Sequence, residues 1–159
     1  MRRISVLLFV SLLLAVLSCK KDDSWISMSA MESAVWIEVN EFRADSGKAE
    51  VTANYDTMVE QAKKYSSFLA AGNTDPDDSE LQARWDIIFD RWGGTNPVAI
   101  VTTTMKGSSN ISVEDIIDPL KEDPGTAEGL LEDVSIGGVG IAFDKDGNAY
   151  TSIFMMKVD

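Results

Sequence analysis

The 159-residue sequence has no histidine and one cysteine. Without imidazole there is no Ser-His-Asp or Cys-His nucleophile system, no His-ligated zinc and no side chain that ordinarily titrates near neutrality. A single cysteine excludes an internal disulfide framework, a thiolate zinc cluster and an iron-sulfur site. Basic side chains are also scarce, 14 against 26 acidic, for a formal net charge of −12. Phosphate backbones need a basic footprint, so nucleic acid is not an expected partner. Neither a metal nor another cofactor is expected. What is present suffices for one domain: 45% of the residues are hydrophobic, enough for a single core.

The long apolar run lies at the start, in residues 1–19, MRRISVLLFVSLLLAVLSC. Arg2 and Arg3 form a basic n-region and Ile4 to Leu17 an apolar stretch, the pattern of a secretory signal. A membrane-spanning helix needs roughly 20 apolar residues, more than this stretch supplies. The lone cysteine follows directly, and Val16-Leu17-Ser18-Cys19 resembles the lipobox of bacterial lipoproteins. The expected organisation is a lipoprotein signal peptide at 1–18, a lipidated N-terminus and tether at 19–32, and one domain at 33–159. Diacylation of the Cys19 sulfur would hold the chain stably to a membrane, because two acyl chains succeed where one is marginal. Lys20-Lys21-Asp22-Asp23-Ser24 resembles the signal that sends Bacteroidota lipoproteins to the outer face of the outer membrane; read plainly, it is a solvated tether. Loss of Arg2 and Arg3 with the signal leaves 12 basic against 26 acidic side chains, about −14, a surface repelled by anionic headgroups.

From Ser29 the pattern is helical. Val35, Trp36, Val39 and Phe42 recur at helix spacing with Glu32, Glu38 and Glu41 between them, and Gly47 is placed to stop the helix. After a Lys48–Asn54 connection, Tyr55, Met58, Val59, Ala62, Tyr65 and Leu69 form a second apolar stripe ended by Gly72. The acidic stretch around Asp75, Asp77, Asp78 and Glu80 lacks the spacing of a calcium loop and reads as the capped start of a third helix. That helix carries Leu81, Trp85, Ile88, Phe89 and Trp92 as core anchors and stops at Gly93-Gly94.

The β-branched segment from Pro97 to Met105 predicts a strand. Ser112-Val113-Glu114-Asp115 predicts a capping box opening a short helix, which Pro119 should end or bend. Asp123-Pro124-Gly125 reads as a turn, followed by a helical turn at Ala127–Leu131. Ile136–Phe143 and Asn148–Lys157 predict a hairpin whose Gly147 supplies the positive φ of the connection. Gly137, Gly138 and Gly140 are not a phosphate loop, because a strand and not a helix follows them; they are expected to let a backbone or ring lie close to the sheet. Helices segregated from a small, largely antiparallel sheet place the chain in the α+β class.

In this order, VWIEVNEFRADSG (35–47), MVEQAKKYSSFLAAG (58–72), SVEDIIDPLKEDPG (112–125) and GGVGIAFDKDGNAY (137–150) resemble the blocks of the CAP superfamily, the SCP domain of cysteine-rich secretory, antigen 5 and pathogenesis-related proteins. Val39-Asn40, Arg43 and Gly47 match the first block, Ser112, Ile116, Pro124 and Gly125 the third, and Val139, Gly140 and Ala142 the fourth. The resemblance implies a CAP-like α-β-α sandwich and a cleft that in many members holds two histidines and two glutamates. Here the matching cleft positions would be Asn73, Asp75, Asn96, Glu122, Asp123 and Thr126, with Thr126 standing where a family histidine stands. Read from residue type alone, the same six are turn and cap residues.

The expected function is therefore that of an envelope lipoprotein with a non-catalytic CAP-like module binding a protein or lipid ligand, anchored at the outer membrane and displayed at the surface. The alternative is an envelope hydrolase using paired carboxylates, one raised by burial to act near neutrality.

Overall fold

A computed structural model describes residues 28–107 and 110–159; the signal segment, Cys19 and the charges following it lie outside the described residues. The first helix, α1 (Ala30–Asp45), opens with a reciprocal capping box. Ser29 Oγ accepts the Glu32 N–H at 3.2 Å, and Glu32 Oε2 accepts the Ser29 N–H at 2.6 Å. Val35, Trp36 and Val39 are buried, as their spacing predicts. The polar connection that follows contains a strand the sequence pattern did not announce, β1 (Thr52–Ala53). Two residues are too few for a periodic signal, and their partners are more than eighty residues away.

A π-helical turn at Tyr55–Val59, capped by Asn54 Oδ1 on the Thr57 and Met58 N–H groups, runs into α2 (Glu60–Ala70). Next come α3 (Ser79–Trp92) and β2 (Thr95–Thr104), then α4 (Val113–Glu122) behind the Ser112–Asp115 capping box. Pro119 does not end α4, which continues to Glu122. Asp115 and Pro119 are both exposed, so the hydrogen bond the proline removes faces water. Asp123-Pro124-Gly125 is likewise not a turn but the start of α5 (Pro124–Leu130), with Asp123 as cap and Pro124 in the first helical position. β3 (Ile136–Phe143) and β4 (Ala149–Lys157) form the expected hairpin, with Gly147 at φ +83°.

The sheet order is β1-β3-β4-β2. β4 pairs antiparallel with β3 and β2 along their lengths, and β1 adds a short parallel bridge at Thr52–Ile136 and Ala53–Gly137. Alternation along β4 divides the core. Ile153 and Met155 pack with α1, α4 and α5 on one face; Phe154 and Met156 pack with α2 and α3 on the other. The result is an α+β fold with a small, largely antiparallel sheet, as the pattern predicts, arranged as the α-β-α sandwich that the resemblance implies.

The glycines of β3 carry the close approach expected of them. A Cβ on Gly137 would lie 2.6 Å from the Trp36 ring, and one on Gly138 would lie 2.5 Å from the Val59 nitrogen. One on Gly140 would overlap the Ala62–Lys63 backbone. Helix α2 can therefore lie directly on the sheet because β3 has no side chains beneath it.

Two burial expectations need correction. Trp92 is 40% exposed, because α3 ends there and the core under it is already filled by Trp85 and Ile88. Glu32, placed by its spacing among the polar residues of α1, is 1% exposed.

Candidate functional site

The six cleft positions fall into groups on different faces of the sheet. Asn73 and Asp75 lie between α2 and α3, on the Phe154 face. Asn73 Nδ2 donates to the Phe68 carbonyl at 2.9 Å. Asp75 closes the N-terminus of α3: its carboxylate accepts the Glu80 N–H at 2.9 Å, the Leu81 N–H at 2.8 Å and the Tyr65 hydroxyl at 3.1 Å. This capping from three residues upstream is needed because Asp78, the residue at the helix boundary, sits at φ +57° and makes no side-chain cap.

Glu122, Asp123 and Thr126 cluster at the α4–α5 junction, on the Ile153 face. Asp123 Oδ1 accepts the Thr126 N–H at 2.9 Å, and Thr126 Oγ1 donates to the Leu120 carbonyl at 2.7 Å. Glu122 is exposed. Asn96 is exposed at the irregular start of β2, at φ +50°. The structure pairs Asp123 with Thr126, leaves Asn73 and Asp75 in one loop with separate partners, and sets these two groups on different faces of the sheet. Among the described residues, no group of three or more His, Cys, Asp or Glu is arranged to hold a metal ion.

The block containing Asn40 and Arg43 has a physical role that spacing alone did not disclose. Asn40 Oδ1 accepts the Val51 N–H at 2.8 Å and its Nδ2 donates to the Val51 carbonyl at 3.2 Å, so one side chain pairs with the backbone as a strand would. Arg43, 1% exposed, donates to the Ala49 carbonyl at 3.0 Å, the Glu132 carbonyl at 3.0 Å and the Leu130 carbonyl. Burial pulls its pKa down, opposed by nearby Asp133.

Glu32 is the buried carboxylate that the helical pattern hid. Its Oε1 accepts the Ile141 N–H at 2.9 Å, on the β3 edge beyond the end of β1, and its Oε2 lies 3.2 Å from Lys63 Nζ of α2. One carboxylate thus joins a helix from each layer to the sheet between them. The signal available in the sequence was Ser29-x-x-Glu32, a capping-box spelling that places the glutamate at a helix start.

Two open, mostly apolar depressions flank the β3–β4 turn. One, about 340 Å³, lies between the end of α2 and the turn, lined by Gly72, Asp144, Lys145 and Tyr150 among others. The other, about 310 Å³, lies between the start of α1 and the turn, lined by Met31, Ile111, Phe143 and Lys106 among others. Asp144 is consumed within the turn: Oδ1 accepts the Asp146 and Asn148 N–H groups, each at 2.9 Å, and Oδ2 accepts Asn148 Nδ2 at 2.9 Å.

Neither a family model nor a curated protein matches the sequence. Solved structures do match the fold. An outer surface protein of Borrelia burgdorferi superposes with a TM-score of 0.68 at 16% identity, over 84% of this chain and 97% of that one. A cysteine-rich secretory protein of Staphylococcus aureus gives 0.56 at 15% identity, over 80% of this chain and 38% of that one. An extracellular SCP-domain protein of Bacillus anthracis gives 0.61 at 10% identity, over 80% and 40%. At such identities the likeness concerns architecture, and the architecture of this chain is the CAP, or SCP, fold.

Proposed function

We propose that the chain is a cell-envelope lipoprotein, anchored through acylated Cys19 at the outer membrane, whose CAP-like domain is a non-catalytic module binding a protein or lipid. The observation that carries this reading is the employment of four of the six side chains at the expected cleft positions. Asp75, Asp123 and Thr126 are spent on helix termini, and Asn73 on a loop carbonyl. A group engaged in capping is poorly placed to turn over a substrate.

Electrostatics support the same reading. A carboxylic acid working near neutrality is raised by burial. The described carboxylates with displaced pKa values, all solvent-facing, are displaced downward. Asp123 is lowered chiefly by the Thr126 N–H, Asp133 by Lys157, Asp144 by the Asn148 side chain and Glu114 by a backbone N–H. The outer-surface, secretory and extracellular descriptions of the matching structures agree with an envelope location.

The test is purification of the full chain from its native membranes, with lipid extraction from the same sample and melting in the presence of a lipid panel. The reading expects a stoichiometric protein or lipid, and for a lipid a saturable rise in Tm. A flat response across the panel with no co-purifying protein would overturn it, as would turnover of a glycan or ester substrate.

A further inference from the structure

We propose that the end of the sheet beside the start of α1 rests on the bilayer surface, with Phe143 as its principal contact. The inference rests on the anchoring of Cys19 given above. Phe143 is 51% exposed and shares an open apolar depression with Met31 and Ile111. Lys106 lines the same depression, its chain reaching over Gly147 of the turn, and its N–H donates to Asn148 Oδ1 at 2.9 Å. The adjoining Met105, last before Lys106, is 70% exposed. Large apolar side chains standing together in water mark a contact surface more often than singly scattered ones do.

What commits the patch to a bilayer is where the chain enters the domain. Met31 lies in the first turn of α1, so the tether joins the fold at the rim of this depression. Nine residues separate Cys19 from Ser29. Fully extended they span at most about 30 Å, so an acylated Cys19 keeps this end of the domain within reach of the headgroups. Over such a short tether a weak interfacial affinity acts as an intramolecular one, at an effective concentration on the order of millimolar. The overall charge of the domain opposes anionic lipid, so the contact is apolar insertion at a zwitterionic interface and not charge attraction.

The experiment uses the full acylated chain in phosphatidylcholine vesicles, with Phe143→Cys labelled by an environment-sensitive fluorophore. An acylated Cys19 offers no thiol, so the label reports one position. Ile37→Cys and Ile87→Cys, at residues 57% and 46% exposed elsewhere on the domain, are the controls. The proposal expects a blue shift and quenching by headgroup-depth spin-labelled lipid at position 143, with neither at 37 or 87. Should Phe143→Cys fail to fold, Lys145→Cys in the adjoining turn decides by the same comparison.

Equal quenching at all positions on a chain that floats with the vesicles overturns the docking and leaves the anchor standing. A blue shift already present in detergent and insensitive to the spin label assigns the patch to the tether or a second copy, and also overturns it. A chain that does not float overturns the anchor, and the docking with it.

Discussion

Glu32 Oε1 holds the Ile141 N–H at 2.9 Å, closing the edge of β3 where β1 has already ended. The carboxylate also meets Lys63 at 3.2 Å, so its removal takes an ion pair from a partly buried lysine and leaves a strand N–H without its acceptor. Glu32→Ala is expected to cost about 1–3 kcal/mol, the range for leaving a buried donor without its acceptor. Glu32→Gln keeps an acceptor for Ile141 and should cost less. Urea unfolding of both variants checks the order, and a cycle with Lys63→Ala should show coupling of roughly 1–3 kcal/mol.

Arg43 serves three carbonyls from one planar fork. Lysine keeps the charge but not the geometry, so Arg43→Lys leaves carbonyls unpaired in a buried place. The expected loss is about 2–4 kcal/mol, since hydrogen bonds to a charged group are worth roughly 1.5–3 kcal/mol each and the lysine recovers part. The denaturant midpoint measures it; a change within about 0.5 kcal/mol, the ordinary surface range, would contradict the role.

Gly138 and Gly125 form a matched pair of glycine tests. A methyl at 138 would strike the Val59 backbone, whereas one at 125 meets Asp123 Oδ1 at an ordinary 3.5 Å. Gly138→Ala should destabilise by about 1–3 kcal/mol by forcing the turn that leads into α2 off the sheet, and Gly125→Ala should be near neutral or slightly stabilising through helix propensity. Thermal melts of the two variants decide this directly.

These relationships also show how far the sequence could be read. Apolar periodicity marked α1, α2 and α3, the Ser112–Asp115 box marked α4, and the Asp144–Asn148 turn marked the hairpin, because each signal is local. The glycines at 137, 138 and 140 predicted a close approach, although not which helix makes it. β1 was invisible because two residues have no period and its partner is distant. Asp123-Pro124 was ambiguous, since cap-plus-proline spells both a turn and a helix start. Glu32 was hidden because a glutamate at helix spacing reads as solvated unless the sheet edge it closes is known. At the cleft positions, resemblance supplied the residue numbers, and only coordinates could place Asp75 and Asp123 on opposite faces.

Tyr65 gives a pH test. Burial first, and then its hydrogen bond to Asp75, push its pKa up to about 12 from 10.0. A phenol raised in the folded state stabilises the fold below its unfolded pKa, and the benefit is lost as pH rises from about 10 to 12. By linkage a two-unit shift amounts to about 2.7 kcal/mol at most. The wild type should therefore lose stability steeply across this alkaline window. Tyr65→Phe should lose less there, while being weaker at neutral pH by about 1 kcal/mol for the missing hydrogen bond. Parallel stability-versus-pH curves for the two proteins would contradict the assignment.

The proposed attachment of this CAP-fold domain to a membrane through Cys19 is tested most directly by the intact mass and N-terminal sequence of the chain extracted from native membranes. Anchoring at Cys19 predicts a mature protein beginning at Cys19 and carrying at least two acyl chains, absent in Cys19→Ala. A mature chain with a free Cys19 thiol, or one released without detergent, would contradict it.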